Sequence, residues 1–225
     1  MTTALALPST EEEIWRYSRI NELDLSKFAS GKLTTTVEGG EGVHLSGAAA
    51  TALIGAGMHV QPDVFAQLNT DTPDVIALHI GKNKVHTQTV VITHSVDKSG
   101  VVAYPRLVID AAENSEIVVV ERFTSADNVH SLVVPVVEVH AAQSARVTYL
   151  AINELGKNTW QIGHQVAVGE RDSNVRLFTV ALVGDYARMR AEVRLVGQGA
   201  SAQQTALYFA DGTQMHDFRT LQSHE

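Results

Sequence analysis

The sequence predicts an all-β solenoid, and three observations carry that prediction. From about Val75 onward, short runs rich in Val, Ile, Thr, Tyr and Phe dominate, punctuated by Gly, Asn, Asp and Ser; this is the grammar of strands and turns. No long amphipathic helix interrupts the runs, which disfavours alternating strand–helix units. A turn-like segment recurs at Ala111-Ala112-Glu113-Asn114-Ser115, Ala141-Ala142-Gln143-Ser144, Gly169-Glu170-Arg171-Asp172-Ser173 and Gly197-Gln198-Gly199-Ala200-Ser201. Its serines, at 115, 144, 173 and 201, fall 29, 29 and 28 residues apart, and an alternating run follows each. A fixed period of this size, with room for two strands, suits a solenoid: one unit cannot bury its own apolar face, whereas stacked units can. The competing reading is a β-sandwich with evenly spaced hairpins.

The elements follow in order. Thr10-Glu11-Glu12-Glu13 reads as a capping box, and Ile14, Tyr17 and Leu23 continue at roughly helical spacing, so a short helix is expected over 11–23. Gly31, Gly39, Gly40 and Gly42 break that pattern. The small-residue stretch 47–57 carries no assignable periodicity. Pro62 followed by Asp63–Leu68 reads as one short helix. Strands are expected at Val75–Ile80, Thr89–Thr93, Arg106–Ile109, Ile117–Phe123, Leu132–Val139, Arg146–Ile152, Trp160–Val168, Val175–Val183, Met189–Val196, Thr205–Phe209 and Met215–Leu221. The chain thus divides into a helical and irregular segment, 1–72, and a β core, 73–225. The β pattern runs to Glu225 without a terminal capping helix. A solenoid end left so would expose unpaired edges, so the expectation is a covering partner or further chain.

Composition narrows function. The 225 residues carry 17 Lys+Arg against 25 Asp+Glu, a net charge of −8, with 44% hydrophobic residues. That is a globular mix, of a length suited to one domain. The acidic balance argues against nucleic acid and against anionic lipid as the main partner. With no cysteine, the chain supplies no disulfide, thiolate nucleophile or cluster-ligating thiolate. Met1–Pro8 lacks a basic n-region and a long apolar stretch, so no secretory leader is expected. No 18-residue apolar run occurs, so no membrane span is expected, and a cytoplasmic location is the default.

Candidate chemistry is sparse. Ten histidines are present, but no His-x-His or His-Glu-x-x-His. His216 and His224 share parity on one run, about 27 Å apart if extended, too far to share a metal. They, with His79, His86 and His94, are read as structural or surface histidines. Glu121 with Arg122, Glu138, and Asp217 with Arg219 raise a glycan-cleaving reading, which needs two carboxylates converging on one cleft. Gly-x-Gly at 55–57 and 197–199 lacks the nucleotide-binding context, and neither a phosphate-binding loop nor a nucleophile elbow occurs. Trp15 and Trp160 read as packing residues, with Trp15 also a conceivable interface anchor. No catalytic, cofactor-binding or metal residue is singled out.

Several stretches, taken together and in order, resemble the SufB/SufD family of iron–sulfur cluster assembly scaffolds, and SufD most. They are Glu13-Ile14-Trp15-Arg16-Tyr17, Leu68-Asn69, Tyr104-Pro105-Arg106-Leu107-Val108-Ile109 with Glu121 and Glu138 beyond it, Gly184…Arg188…Leu195-Val196-Gly197-Gln198-Gly199-Ala200, and Gln214-Met215-His216-Asp217-Phe218-Arg219-Thr220…His224. The resemblance implies a right-handed parallel β-helix and a non-enzymatic scaffold that binds no cofactor itself. It also implies work beside a SufB-like paralogue and the SufC ATPase. Family members continue past the Thr-x-x-x-His stretch into the rest of the β-helix, a Cys-Ser-His-Gly type motif and a helical region that docks SufC, so residues placed there do not carry over. Two other classes stay open: a β-helix enzyme acting on acidic polysaccharide, and a solenoid that self-associates through its open end.

Overall fold

The computed structural model describes residues 6–58, 62–70 and 74–225. In chain order its strands are β1 (Ala29–Ser30), β2 (Thr34–Glu38), β3 (His44–Leu45), β4 (Val75–Ile80), β5 (Val90–Val96), β6 (Val101–Ala103), β7 (Arg106–Ala111), β8 (Glu116–Ser125), β9 (Ser131–Val133), β10 (Val136–Ala141), β11 (Arg146–Glu154), β12 (Thr159–Gly169), β13 (Asn174–Ala181), β14 (Tyr186–Leu195), β15 (Ser201–Tyr208) and β16 (Met215–His224). Two short helices precede β4: α1 (Ala48–Thr51) and α2 (Val64–Thr70).

Successive strands alternate between two sheets. One runs β2-β5-β8-β11-β13-β15, and the other contains β4, β7, β10, β12, β14 and β16 as neighbours, with the short β1, β6, β9 and β3 at its margins. Pairing is parallel throughout except β2 with β5 and β3 with β4. A parallel ladder whose members are separated by a strand of the opposite sheet is a β-solenoid, here of about five turns. The expected β core is therefore present, and the sandwich reading fails because hairpins would pair antiparallel.

Alternation fixes which side chains fill the interior. In β13, Val175, Leu177 and Ala181 point inward and are buried, while Arg176 points out. Val147, Tyr149 and Ala151 of β11 stack beside them, facing Leu107, Ile109, Val137 and Val139 across the interior. In β10 both faces are buried. The reason is the segment before β4, which lies on the outer face: Met58 and Ala66 pack against Val136 and Val166, and Ala50 against Ala77 and Val108.

The turns set the repeat differently from the serine register. Asn83, Asn114, Ser144 and Asp172 hold positive φ of 55 to 60°, and Gly199 follows at 75°. Their amides bond successively across coils, Asn114 N–H to the Gln143 carbonyl, Ser144 to Arg171 and Asp172 to Gln198. The equivalent set is thus 83, 114, 144, 172 and 199, all but one of them residues that tolerate the left-handed region. Ser115 and Ser173 sit one position later, where Ala145 and Ala200 complete their row. The period is real, but the serines mark three different rows, Ser201 pairing in register with Asn174 one position later still. Stacking is tightest at Gly197, where a Cβ would lie 2.0 Å from the Arg171 amide nitrogen.

Other expectations shift in detail. The helix over 11–23 is instead a series of 3₁₀ turns, Glu13–Trp15, Ile20–Glu22 and Leu25–Lys27. The capping pair lies one residue earlier than Thr10/Glu13: the Ser9 amide bonds the Glu12 carboxylate at 3.0 Å and Ser9 Oγ accepts from the Glu11 amide. The single strand expected over Leu132–Val139 is broken at Val134-Pro135, since proline has no N–H to give the ladder; in the next coil Gly163 lies against that ring. The helix after Pro62 forms as α2, with Asp63 Oδ1 accepting from the Phe65 and Ala66 amides. The division at 72/73 and the start of the chain, Met1–Leu5, lie outside the described residues.

Candidate functional site

Five of the residues singled out in the sequence, His79, His94, Arg106, Glu121 and Glu138, fall into three clusters. The first fixes the segment before β4 to the outer face of β7 and β10. Arg106 and Glu138, both fully buried, pair through Nε and Nη2 to Glu138 Oε1 at 2.8 and 2.6 Å. Glu138 Oε2 accepts from the amides of Gly55, Gly57 and Met58 at 2.9–3.1 Å. Asn69 of α2 accepts from Arg106 and donates to the Pro105 and Val134 carbonyls. It thereby gives a donor to each of two carbonyls beside the prolines that interrupt the ladder, the Pro105 carbonyl also accepting from the Val136 amide. Nearby, His164 Nε2 bonds Asp63 at 3.0 Å. Burial pushes the Asp63 carboxyl up, but the bond to His164 outweighs it with the two helix amides, so the carboxyl titrates below its usual range.

The second cluster is inside the solenoid. Glu121 bonds His94 Nε2 at 2.9 Å and accepts from the Tyr149 hydroxyl, while His94 Nδ1 meets Thr35 Oγ1 of β2. All three of His94, Glu121 and Tyr149 are buried. Burial, with the Glu121 charge behind it, holds the Tyr149 hydroxyl far above the usual phenol range.

The third is a partly exposed ladder on the outer face. Asp110 bonds His79 Nδ1 and His140 Nδ1, each at 2.8 Å, and His140 Nε2 bonds Glu170 at 3.1 Å. The bond to His140 leads the depression of the Asp110 carboxyl, and the same bond raises His140 above a free imidazole.

The N-terminal segment is tied down further along. Trp15 is buried against Phe65 and lies under the Arg188 guanidinium, 3.9 Å from the ring. Arg188 pairs with Asp217 and donates to the Ile14 carbonyl. Trp160 donates to Asp185, which also holds Arg19. Both tryptophans are packing residues.

The carboxylates do not converge. Glu121 faces the interior from one sheet, Glu138 faces outward from the other beneath the N-terminal segment, and Asp217 is held by Arg188 and Arg219. A buried carboxylate held by an arginine and three amides has no lone pair left for a substrate, so this geometry suits positioning rather than glycan cleavage. His216 and His224 both face inward, paired in register with Ala187 and Leu195. Burial lowers His216. Among the described residues, no group of three or more His, Asp or Glu is arranged to hold a metal ion, and no helix is long and apolar enough to cross a membrane. Within the 225 residues, β15 is exposed along most of its length, with Leu207 and Tyr208 at its end and Phe209 just beyond it at 49, 57 and 64% exposure.

Residues 91–225, more than half of the chain, match the family model described as "SUF system FeS cluster assembly, SufBD core domain". The chain belongs to the SufBD family. An iron–sulfur cluster assembly SufBD family protein of Mycobacterium tuberculosis is 31% identical over 231 residues, covering 98% of this chain and 56% of that protein. One from Mycobacterium leprae is 28% identical over 230 residues, covering 98% and 57%. The chain therefore spans little more than half the length of these curated relatives.

Within this SufBD chain, three of the residues that carried the resemblance, Asn69, Arg106 and Glu138, meet in one buried network, and Trp15, Arg188 and Asp217 in another. Sequence reading missed the His79–Asp110–His140–Glu170 ladder. Its signal was the spacing of 31, 30 and 30 residues, which is the coil period itself.

Proposed function

We propose that this chain is a non-catalytic, SufD-like scaffold subunit in iron–sulfur cluster assembly, acting with a SufB-like paralogue and a SufC-type ATPase in the cytoplasm. The observation that carries the reading is the coincidence of the SufBD core match, residues 91–225, with the stacked coils. The cluster is cargo: without cysteine the chain has no thiolate to ligate it. Supporting the structural role, the buried ionic groups are spent on fixing the N-terminal segment to the coils. The exposed outer edge of β15 offers a strand edge to a second β-helix by β-addition. Affinity capture of the chain from its own cells, read by mass spectrometry, tests this. Recovery of an ABC-type ATPase with a larger SufBD paralogue is the expected result. Capture of neither, under conditions where the paralogue and ATPase capture each other, contradicts it.

A further inference from the structure

We propose that the outer face of β14 and β16 carries a phosphate-binding cleft built on Arg190 and Arg219. A cleft of about 200 Å³ is lined there by Ile14, Arg188, Arg190, Arg219, Thr220 and Leu221. Arg190 and Arg219 are register partners on adjacent parallel strands, so their stems start roughly 4.8 Å apart. Like charges so placed repel, and both side chains are partly exposed at 27 and 38%, so the pair invites an anion between them.

The hydrogen-bond arrangement favours such a ligand. Arg190 uses Nε on Glu192, and Arg219 uses Nε on Asp217 at 3.1 Å. Among the described residues, the terminal nitrogens of both guanidinium groups have no hydrogen-bond partner. Arg188, by contrast, is spent: it pairs with Asp217, donates to the Ile14 carbonyl and stacks on Trp15. Three arginines therefore face two carboxylates, Asp217 and Glu192, a local positive excess in a chain of net charge −8. Two guanidinium edges side by side match the oxygens of a tetrahedral dianion, where each gives a fork of donors. The flanks are apolar: Ile14 and Leu221 stand exposed on the cleft wall. The volume is below that of sites for larger ligands and suits a phosphate group with a short carbon body. The ligand class is thus a small phosphomonoester, with free phosphate the weaker relative.

The experiment is a titration of the 225-residue chain with inorganic phosphate and with butyl phosphate, at constant ionic strength set by chloride, followed by calorimetry and by the arginine side-chain NMR signals. The expected result is saturable one-to-one binding, with butyl phosphate several-fold tighter than phosphate. Arg190→Gln and Arg219→Gln each weaken both ligands at least tenfold. Arg146→Gln, on the opposite sheet, leaves both unchanged. Leu221→Ala keeps phosphate binding but removes the butyl preference, a readout that does not depend on either arginine variant folding well. Absence of saturation, equal displacement by chloride, or unchanged affinity in the folded arginine variants overturns the site. Equal affinity for the two ligands in the parent chain overturns the phosphomonoester assignment.

Discussion

Glu138 is the residue on which the N-terminal half of the chain turns. A carboxylate removed from water is tolerated only when charge and donors surround it, and Arg106 with the Gly55, Gly57 and Met58 amides does that. Glu138→Ala leaves Arg106 buried without its counter-ion and is expected to cost about 3–5 kcal/mol, read as a lower urea midpoint. A loss under about 1 kcal/mol would show that the junction is not closed in solution. His140 makes a pH-dependent contribution. Its bonds to Asp110 and Glu170 raise its folded-state pKa, so the stabilisation is complete below the unfolded value of about 6.5 and fades as pH rises through the higher folded value. Asp110, depressed mainly by the same bond, contributes above about pH 3.9 and loses that contribution as pH falls through its lower folded value. Stability of the parent chain should decline as pH rises above about 6.5, and His140→Gln should flatten the slope; an unchanged slope would mean the ladder does not form. None of these pairings was visible along the sequence, since the partners lie a coil or more apart. His79, Asp110, His140 and Glu170 become neighbours only when the chain is wrapped at its own period.

At the level of elements, strand positions were legible because period-two alternation survives wherever one face meets the interior, as in β11 and β13. It fails in β10, buried on both faces beneath the N-terminal segment, and there the break at Pro135 was not read. The short β2, which pairs antiparallel with β5 and meets His94 through Thr35, was hidden among glycines. The turn repeat was legible in period but not in register: a serine followed each turn often enough to obscure the left-handed residue. This sets a direct test. Ser144, at φ 60°, should be relieved by Ser144→Gly, with a gain of up to about 1 kcal/mol, and Ser144→Val should cost about 1–2 kcal/mol. Ala145→Gly, in the neighbouring row, should instead destabilise. Urea melts of the three variants decide it, and a reversed order would restore the serine register.

At the scale of the 225-residue chain, the exposed outer edge of β15 governs association. Leu207, Tyr208 and Phe209 are exposed at the end of β15, the outermost strand of its sheet, which among the described residues pairs with β13 on one edge only, a recognised route to edge-to-edge association. Sedimentation of the isolated chain should show concentration-dependent self-association that Thr205→Lys with Leu207→Lys abolishes; a strictly monomeric profile at high concentration would count against an available edge. The family was legible from dispersed short motifs because the residues that carry it are those tying segment to coil, Asn69, Arg106 and Glu138 among them, and such buried ionic networks tolerate few alternatives. Partner surfaces were not legible, since contacts on an exposed edge leave no pattern in one chain. The most direct test of the scaffold reading is co-expression of this chain with the SufBD paralogue and the ABC-type ATPase of its own cells, followed by sedimentation. The account predicts that the chain co-sediments with the paralogue in a defined stoichiometry, and that the charged substitutions on β15 release it. A paralogue–ATPase complex that forms fully while this chain sediments apart would contradict it.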